Sequence, residues 1–202
     1  MMPAETGSIG IVVVIGSVRP GNYTTKAVGL VLDELGKSPD VRVDVVDPAG
    51  MDLPLPGAAS PTPAAKSIRS KIAAATGVVF ATPEYHGSFS SVTKLLIDNL
   101  GFPSELSGKP IALLGVASGV IGAVKSLEHL RSVCSHVGGI VLPGPCSVAK
   151  VHKVFDEDGN CLDPVTEKRI RGLPVKLLDY IRRSVCPWES LEETVRGSAS
   201  AE

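Results

Sequence analysis

The chain has 202 residues, 44% of them apolar, and this composition predicts one globular domain with a full hydrophobic core. The 20 basic and 21 acidic residues give a net charge of −1, and no long lysine or arginine run favours a nucleic-acid partner. The longest apolar stretches, at 9–15 and 111–117, are too short to cross a bilayer, and the amino terminus does not resemble a secretory signal. We therefore expect a cytoplasmic protein that binds neither membranes nor nucleic acid.

In chain order, apolar runs alternate with helical patterns. Strands are predicted at 9–15, 41–45, 77–82, 110–117 and 140–142. Helices are predicted at 24–35, around 68–75, at 91–100, around 124–137 and around 170–181. Five strand–helix repeats predict a parallel sheet with helices on both faces and right-handed crossovers. The proline-rich stretch 48–63 is predicted to be a loop.

The ends of the chain differ from this pattern in composition. Residues 1–8 and 187–202 are small, polar and aperiodic, so we expect two flexible tails flanking a single domain at 9–186.

The cysteines show no pattern that indicates a metal site or a nucleophile. They are widely spaced, form no CxxC pair and have no metal-like spacing with the four histidines. We expect reduced structural thiols, no metal and no catalytic cysteine. The four positions are Cys134, Cys146, Cys161 and Cys186.

The loop at 16–24, between the first strand and the first helix, has the composition of a phosphate-binding loop. Backbone N–H groups at a helix start attract anions, Ser17, Asn22 and Thr24 add short donors, and Arg19 can bind phosphate oxygens. The dinucleotide pattern GxGxxG is absent, and so is the Lys-Ser/Thr of a P-loop. An ordinary strand–helix turn, with Asn22 or Thr24 as N-cap and Arg19 in solvent, explains this segment equally well.

Two later loops carry a second and a third polar segment. The loop at 83–88 presents Tyr85, His86 and backbone groups that suit the hydrogen-bonding edge and the face of a planar ring. The loop at 117–122 is small and polar, which leaves space for a ring system. Each segment alone is also compatible with an ordinary turn. All three loops follow strands that adjoin in a doubly wound sheet of order 2-1-3-4-5, where ligands bind at the switch point.

The sequence resembles the NADPH-dependent FMN reductase family over about residues 9–183. The resemblance depends on GSVRPGNYT at 16–24 and PEYHGSFSSVTKLLIDNL at 83–100, with a weaker part at 117–131. It implies a flavodoxin-like fold, FMN as cofactor and NADPH or NADH as co-substrate. The family more often has asparagine in place of His86.

The resemblance also implies which residues hold the cofactor. Ser17, Arg19, Asn22 and Thr24 correspond to the residues that bind the FMN phosphate. The residues expected at the ribityl chain and the ring are Pro83, Glu84, Tyr85, His86, Gly87, Ser118 and Gly119.

The function that this resemblance implies is transfer of hydride from NAD(P)H through bound FMN to a quinone-like or other small acceptor. The flavin does the chemistry, so no catalytic acid or base is predicted. The alternatives are a flavodoxin-type electron carrier without nicotinamide activity and a non-flavin module that binds another phosphate. The resemblance further implies a homodimer or homotetramer, with the helix at 91–100 near the interface.

Overall fold

The computed structural model describes residues 9–57, 60–187 and 192. The predicted tails therefore lie outside the described residues, apart from 187 and 192. The strands are β1 (Ile9–Ile15), β2 (Val41–Val46), β3 (Gly77–Tyr85), β4 (Ser88–Phe89), β5 (Pro110–Val116), β6 (Ile140–Val141) and β7 (Cys146–Val148). The helices are α1 (Tyr23–Leu35), α2 (Pro63–Ala74), α3 (Ser91–Asp98), α4 (Val124–His136) and α5 (Pro164–Tyr180). A 3₁₀ turn at Val151–Lys153 follows β7, and a π-helical turn at Ile181–Val185 follows α5.

The parallel sheet has the predicted order. Its strands run β2-β1-β3-β5, and the fifth position is filled by two short strands that both pair with β5. The strand β6 pairs with the start of β5, and β7 pairs with its end. The sequence predicted only the first of these two pieces. The order confirms a flavodoxin-like sheet with its switch point between β1 and β3.

Alternating side chains of the central strands divide the core into two layers. Ile11 and Val13 of β1 pack with α1 and α5 on one face, whereas Val12 and Val14 pack with α2, α3 and α4 on the other. Every residue of β1 and β5 is buried, as expected for strands covered on both faces. The edge strand β2 is only partly buried, which matches its alternating sequence.

Several predicted boundaries were wrong. Helices α2 and α5 begin at Pro63 and Pro164, before the starts predicted for them. The third strand was predicted to end at Thr82, but β3 continues to Tyr85 because Pro83 pairs with Val116 of β5 and Glu84 with Phe89 of β4. Local sequence signals marked a loop there, and tertiary pairing overrides them. The helix α3 ends at Asp98, two residues early.

The described helices also bear on the membrane question. None of them combines the length and the apolar character that a membrane span requires.

Candidate active site

An open cleft of about 250 Å³ lies at the carboxyl ends of β1, β3 and β5. It brings together eight of the predicted site residues: Ser17, Arg19, Asn22, Thr24, Pro83, Glu84, Tyr85 and Ser118. The other three, His86, Gly87 and Gly119, do not line it. The remaining lining residues are Pro20, Gly21, Tyr23, Val116, Ala117 and Val151.

Val151 is the lining residue that sequence reasoning missed entirely. It belongs to the 3₁₀ turn after β7, and its N–H donates to the carbonyl oxygen of Ala117 at 3.0 Å. This bond holds the turn against the end of β5. A buried valine in a short turn carries no polar or glycine signal, so no pattern in the sequence pointed to it.

The loop between β1 and α1 presents an unusual number of free donors. Within the described part of the chain, no backbone N–H from Ser17 to Thr24 donates a hydrogen bond to another protein group. The hydroxyl oxygen of Ser17 is buried and has no partner either. Buried polar groups in proteins are almost always paired, so the unpaired Ser17 hydroxyl indicates a ligand, and the free N–H groups near it suit an anion.

Asn22 is the N-cap of α1, as one of the two alternatives predicted. Its side-chain oxygen accepts from the N–H of Thr25 at 2.8 Å, and its amide donates to the carbonyl oxygen of Arg19 at 2.7 Å. The side chain therefore shapes the loop and starts the helix. Gly21 and Tyr23, on either side of Asn22, also line the cleft, so the cleft lies at the amino-terminal end of α1.

A buried network of hydroxyl groups joins this loop to the β3–β4 segment. Ser90 donates to the carbonyl oxygen of Gly16 at 2.5 Å, so the Thr93 hydroxyl acts as a donor, with the Ser90 hydroxyl at 2.9 Å and the Thr82 hydroxyl at 3.4 Å as its acceptors. Thr82 accepts from the Ser90 N–H at 3.1 Å and donates to the carbonyl oxygen of Pro83 at 3.0 Å. All three hydroxyl residues are buried, and each hydroxyl proton has an acceptor.

Gly16 is required by the same network. A β-carbon at this position would lie 2.2 Å from the Thr93 hydroxyl oxygen and 2.6 Å from the carbonyl oxygen of Ala81. No larger residue fits there. The loop between β1 and α1 therefore packs directly against the start of α3.

His86 occupies a tight turn between β3 and β4. Tyr85 pairs with Ser88, and the two residues between them, His86 and Gly87, have φ of 51° and 75°. Two successive positive φ angles define a type I′ hairpin turn, for which Asn-Gly is the preferred sequence. Histidine tolerates this conformation better than most residues. Asparagine, which the resemblance implies at this position, and the histidine found here therefore meet the same backbone requirement.

Glu84 links β3 to α4. Helix α4 begins without a side-chain cap of its own, and the Glu84 carboxylate accepts from the N–H of Ser126 in its first turn at 3.1 Å. On the other side, the Ser147 hydroxyl accepts from the N–H of Ala123 at 2.9 Å. The loop between β5 and α4 is thus fixed at its end by groups from β3 and β7.

Two of the four thiols, those of Cys134 and Cys146, are buried. Burial raises the pKa of Cys134 to about 12 and also raises the pKa of Cys146, so both remain protonated near neutral pH. Among the described residues, no group of three or more histidine, cysteine or acidic side chains could hold a metal ion.

Comparison with known proteins identifies the family. The model of the NADPH-dependent FMN reductase family matches residues 9–153. An NAD(P)H-dependent FMN reductase from Pseudomonas aeruginosa is 31% identical over 184 residues, which cover 87% of this chain and 96% of the relative. The chain belongs to the NADPH-dependent FMN reductase family. It is accordingly an oxidoreductase that uses FMN and NAD(P)H.

Two further comparisons agree with this assignment. A 2-hydroxy-1,4-benzoquinone reductase from a Burkholderia species is 31% identical over 180 residues, with 87% of this chain and 97% of the relative covered. Among solved structures, the flavoenzyme NAD(P)H:(acceptor) oxidoreductase of Paracoccus denitrificans superposes with a TM-score of 0.75 at 22% identity. That comparison covers 87% of this chain and 98% of the other, and it shows the shared fold.

The cleft of this FMN reductase fits its cofactor. The unpaired Ser17 hydroxyl and the free backbone N–H groups suit a phosphate monoester, and Arg19 adds a positive charge beside them. Tyr85 and Ser118, at the ends of β3 and β5, line the same cleft.

Proposed function

We propose that this reductase takes hydride from NADPH or NADH and delivers electrons to a quinone-like small molecule. The observation that carries the proposal is the anion-binding loop with its buried, unpaired Ser17 hydroxyl at the switch point of the sheet. Bound FMN supplies the two-electron redox chemistry, and the protein binds, orients and shields it. A quinone acceptor is supported by the benzoquinone reductase among the relatives.

In this proposal the residues of the cleft divide into those that bind and those that position. Ser17, Arg19 and the backbone N–H groups up to Thr24 bind the phosphate. Pro83, Tyr85 and Ser118 line the part that receives the ribityl chain and the ring. The remaining candidates position the residues that bind. Asn22 and Glu84 cap α1 and α4, and His86–Gly87 form the hairpin turn between β3 and β4. Gly119 supplies the carbonyl oxygen that accepts from the Lys150 N–H.

An electron carrier of the flavodoxin type is the second candidate. Such a carrier would bind FMN but would not accept hydride from free NADPH. The basic Arg19 in the phosphate loop and the net charge near zero favour the enzyme.

The test is a spectrum of the purified protein before and after NADPH addition. We expect a yellow protein that binds FMN, and we expect NADPH to bleach its visible absorbance without any helper protein. Re-oxidation by a benzoquinone should restore the colour and allow repeated turnover. A protein that cannot be loaded with FMN would overturn the proposal, and one that loads but is not bleached would favour the carrier.

We further propose that the enzyme is a homodimer or homotetramer in the cytoplasm. In α3, Val92 and Leu95 are only half-buried in the single chain, which leaves apolar surface for a partner copy. Leu96 and Leu100 are fully buried against their own sheet, so they are not available for that contact. Four free cysteines suit a reducing compartment. Light scattering measures the oligomeric state.

A further inference from the structure

A second concave surface adjoins the cleft and is not used by the proposed cofactor site. This groove has a volume of about 540 Å³. It is lined by the amino-terminal ends of α4 and α5 and by the segment after β7. Val151 lines the cleft, whereas Lys150 and Lys153 line the groove. The two surfaces therefore begin on adjacent residues of one short turn.

The groove carries an excess of positive charge. Lys150, Lys153 and Arg169 line it and are exposed. Within the part of the chain that the structure describes, none of the three forms an ion pair with a carboxylate. Arg169 donates only to the carbonyl oxygen of Ser147, at 3.1 Å. Unpaired cations that converge on one concavity favour an anionic ligand.

One carboxylate also lines the groove, and it is already engaged. The Asp163 side chain accepts from the Thr166 hydroxyl at 2.6 Å and from the N–H of Val165 at 3.0 Å. The bond from Thr166 is the main reason that the pKa of Asp163 lies below its ordinary value, so this group is ionised at neutral pH. Three cations and one carboxylate leave the groove with a net charge of +2.

We propose that this groove binds the 2′-phosphate of NADPH and makes the enzyme prefer NADPH over NADH. The proposal depends on the proposed function, because it concerns the same hydride donor. A phosphate monoester carries a charge of about −1.5 to −2 at pH 7, which matches the net charge of the groove. Lysine and arginine side chains are the usual partners of such a group. The exposed Ile121 and Val124 also line the groove and offer apolar contact to the adjoining nucleoside.

The main experiment compares the two nucleotides in the FMN-loaded enzyme. In the double variant Lys150→Gln/Lys153→Gln we expect the ratio of kcat/KM for NADPH to that for NADH to fall about tenfold, since two exposed charge contacts are lost. The matched control is Lys168→Gln, an exposed lysine of α5 that does not line the groove. It should leave the ratio unchanged.

A direct binding measurement gives a readout that does not need turnover. Calorimetric titration of the wild-type protein with adenosine 2′,5′-bisphosphate should show binding, and adenosine 5′-monophosphate should bind about tenfold more weakly. The double variant should no longer distinguish the two. Far-UV circular dichroism of each variant checks that it is folded.

Several results would overturn the inference. In the double variant, the ratio of kcat/KM for NADPH to that for NADH could stay unchanged, or both kcat/KM values could fall equally. Either result would show that the groove does not bind the 2′-phosphate. A change confined to the KM of a sulfonated acceptor would assign the groove to the acceptor instead. Wild-type enzyme that oxidises neither nucleotide would contradict the proposed function, whereas the bisphosphate titration would still test the groove.

Discussion

Ser17 shows how one unpaired atom can indicate a ligand. The residue is 3% exposed, and its hydroxyl has no partner among the described residues. A buried hydroxyl without a hydrogen bond destabilises the folded protein, and natural sequences retain such a group where a ligand satisfies it.

The variant Ser17→Ala should therefore have opposite effects on stability and on binding. We expect the FMN-free protein to become more stable by about 1 kcal/mol, because an unsatisfied polar group is removed. We expect FMN affinity to fall by about 1–1.5 kcal/mol, because a phosphate contact is lost. Urea denaturation and flavin fluorescence titration measure the two changes.

The exposed Ser67 of α2 provides the control: Ser67→Ala should leave FMN affinity unchanged and raise stability only by the helix-propensity difference of about 0.5 kcal/mol. Lower stability of the FMN-free Ser17→Ala protein would mean that the hydroxyl already has a partner in the empty cleft.

At the scale of elements, helix α4 depends on another strand for its start. Ala123 precedes the helix and provides no side-chain bond, and Glu84 of β3 accepts from the first turn instead. A carboxylate at this position also interacts favourably with the partial positive charge of the helix start.

Replacing Glu84 with alanine should destabilise the FMN-free protein by about 1 kcal/mol, as loss of an N-cap does. Glu84→Gln should cost less, because the amide oxygen can still accept the hydrogen bond. The midpoint of urea unfolding measures both. Glu128→Ala, which removes an exposed carboxylate of the same helix, is the matched control. If Glu84→Ala leaves stability unchanged and lowers only FMN affinity, the carboxylate is a ligand contact and not a cap.

At the scale of the whole molecule, charges connect helices that are far apart in sequence. Arg171 of α5 bonds to Asp33 and Glu34 of α1 and, at 2.8 Å, to Glu167 of its own helix. The bond from Arg171 holds the pKa of Asp33 below its ordinary value of 3.8. The bond from Lys37 is the largest of the effects that lower the pKa of Glu34 from 4.5.

Depressed carboxylate pKa values fix the sign of the pH dependence. The stabilisation is fully present above the ordinary values of 3.8 and 4.5 and is lost as pH falls through the lower values of the folded state. We therefore expect Arg171→Gln to be less stable than wild type at pH 7, with the difference shrinking towards pH 3. Urea midpoints at the two pH values measure it.

Arg183→Gln is the comparison for this experiment, because it breaks an exposed pair with Asp179 in a single helical segment. Its effect should be near zero at both pH values. A difference for Arg171→Gln that persists unchanged at pH 3 would show that packing, not charge, accounts for the loss.

Prediction from sequence worked where the signal was local. Continuous apolar runs identified the central strands, and the short polar segments after them identified most of the lining of the cleft. It was wrong at Pro83, where strand pairing with β5 and β4 extends β3 beyond a local turn signal. It also missed β7 and Val151, since three residues of strand and one buried valine have no distinctive pattern.

Neighbouring residues were enough to predict the alternation of strands and helices, the family and the loop chemistry, because each of these signals is local. Which groups remain unpaired depends on the folded chain. Ser17 lacks a partner, Glu84 caps a helix 42 positions away, and the basic groove forms beside the cleft. Each of these depends on contacts between segments distant in sequence, and such contacts exist only once the chain has folded.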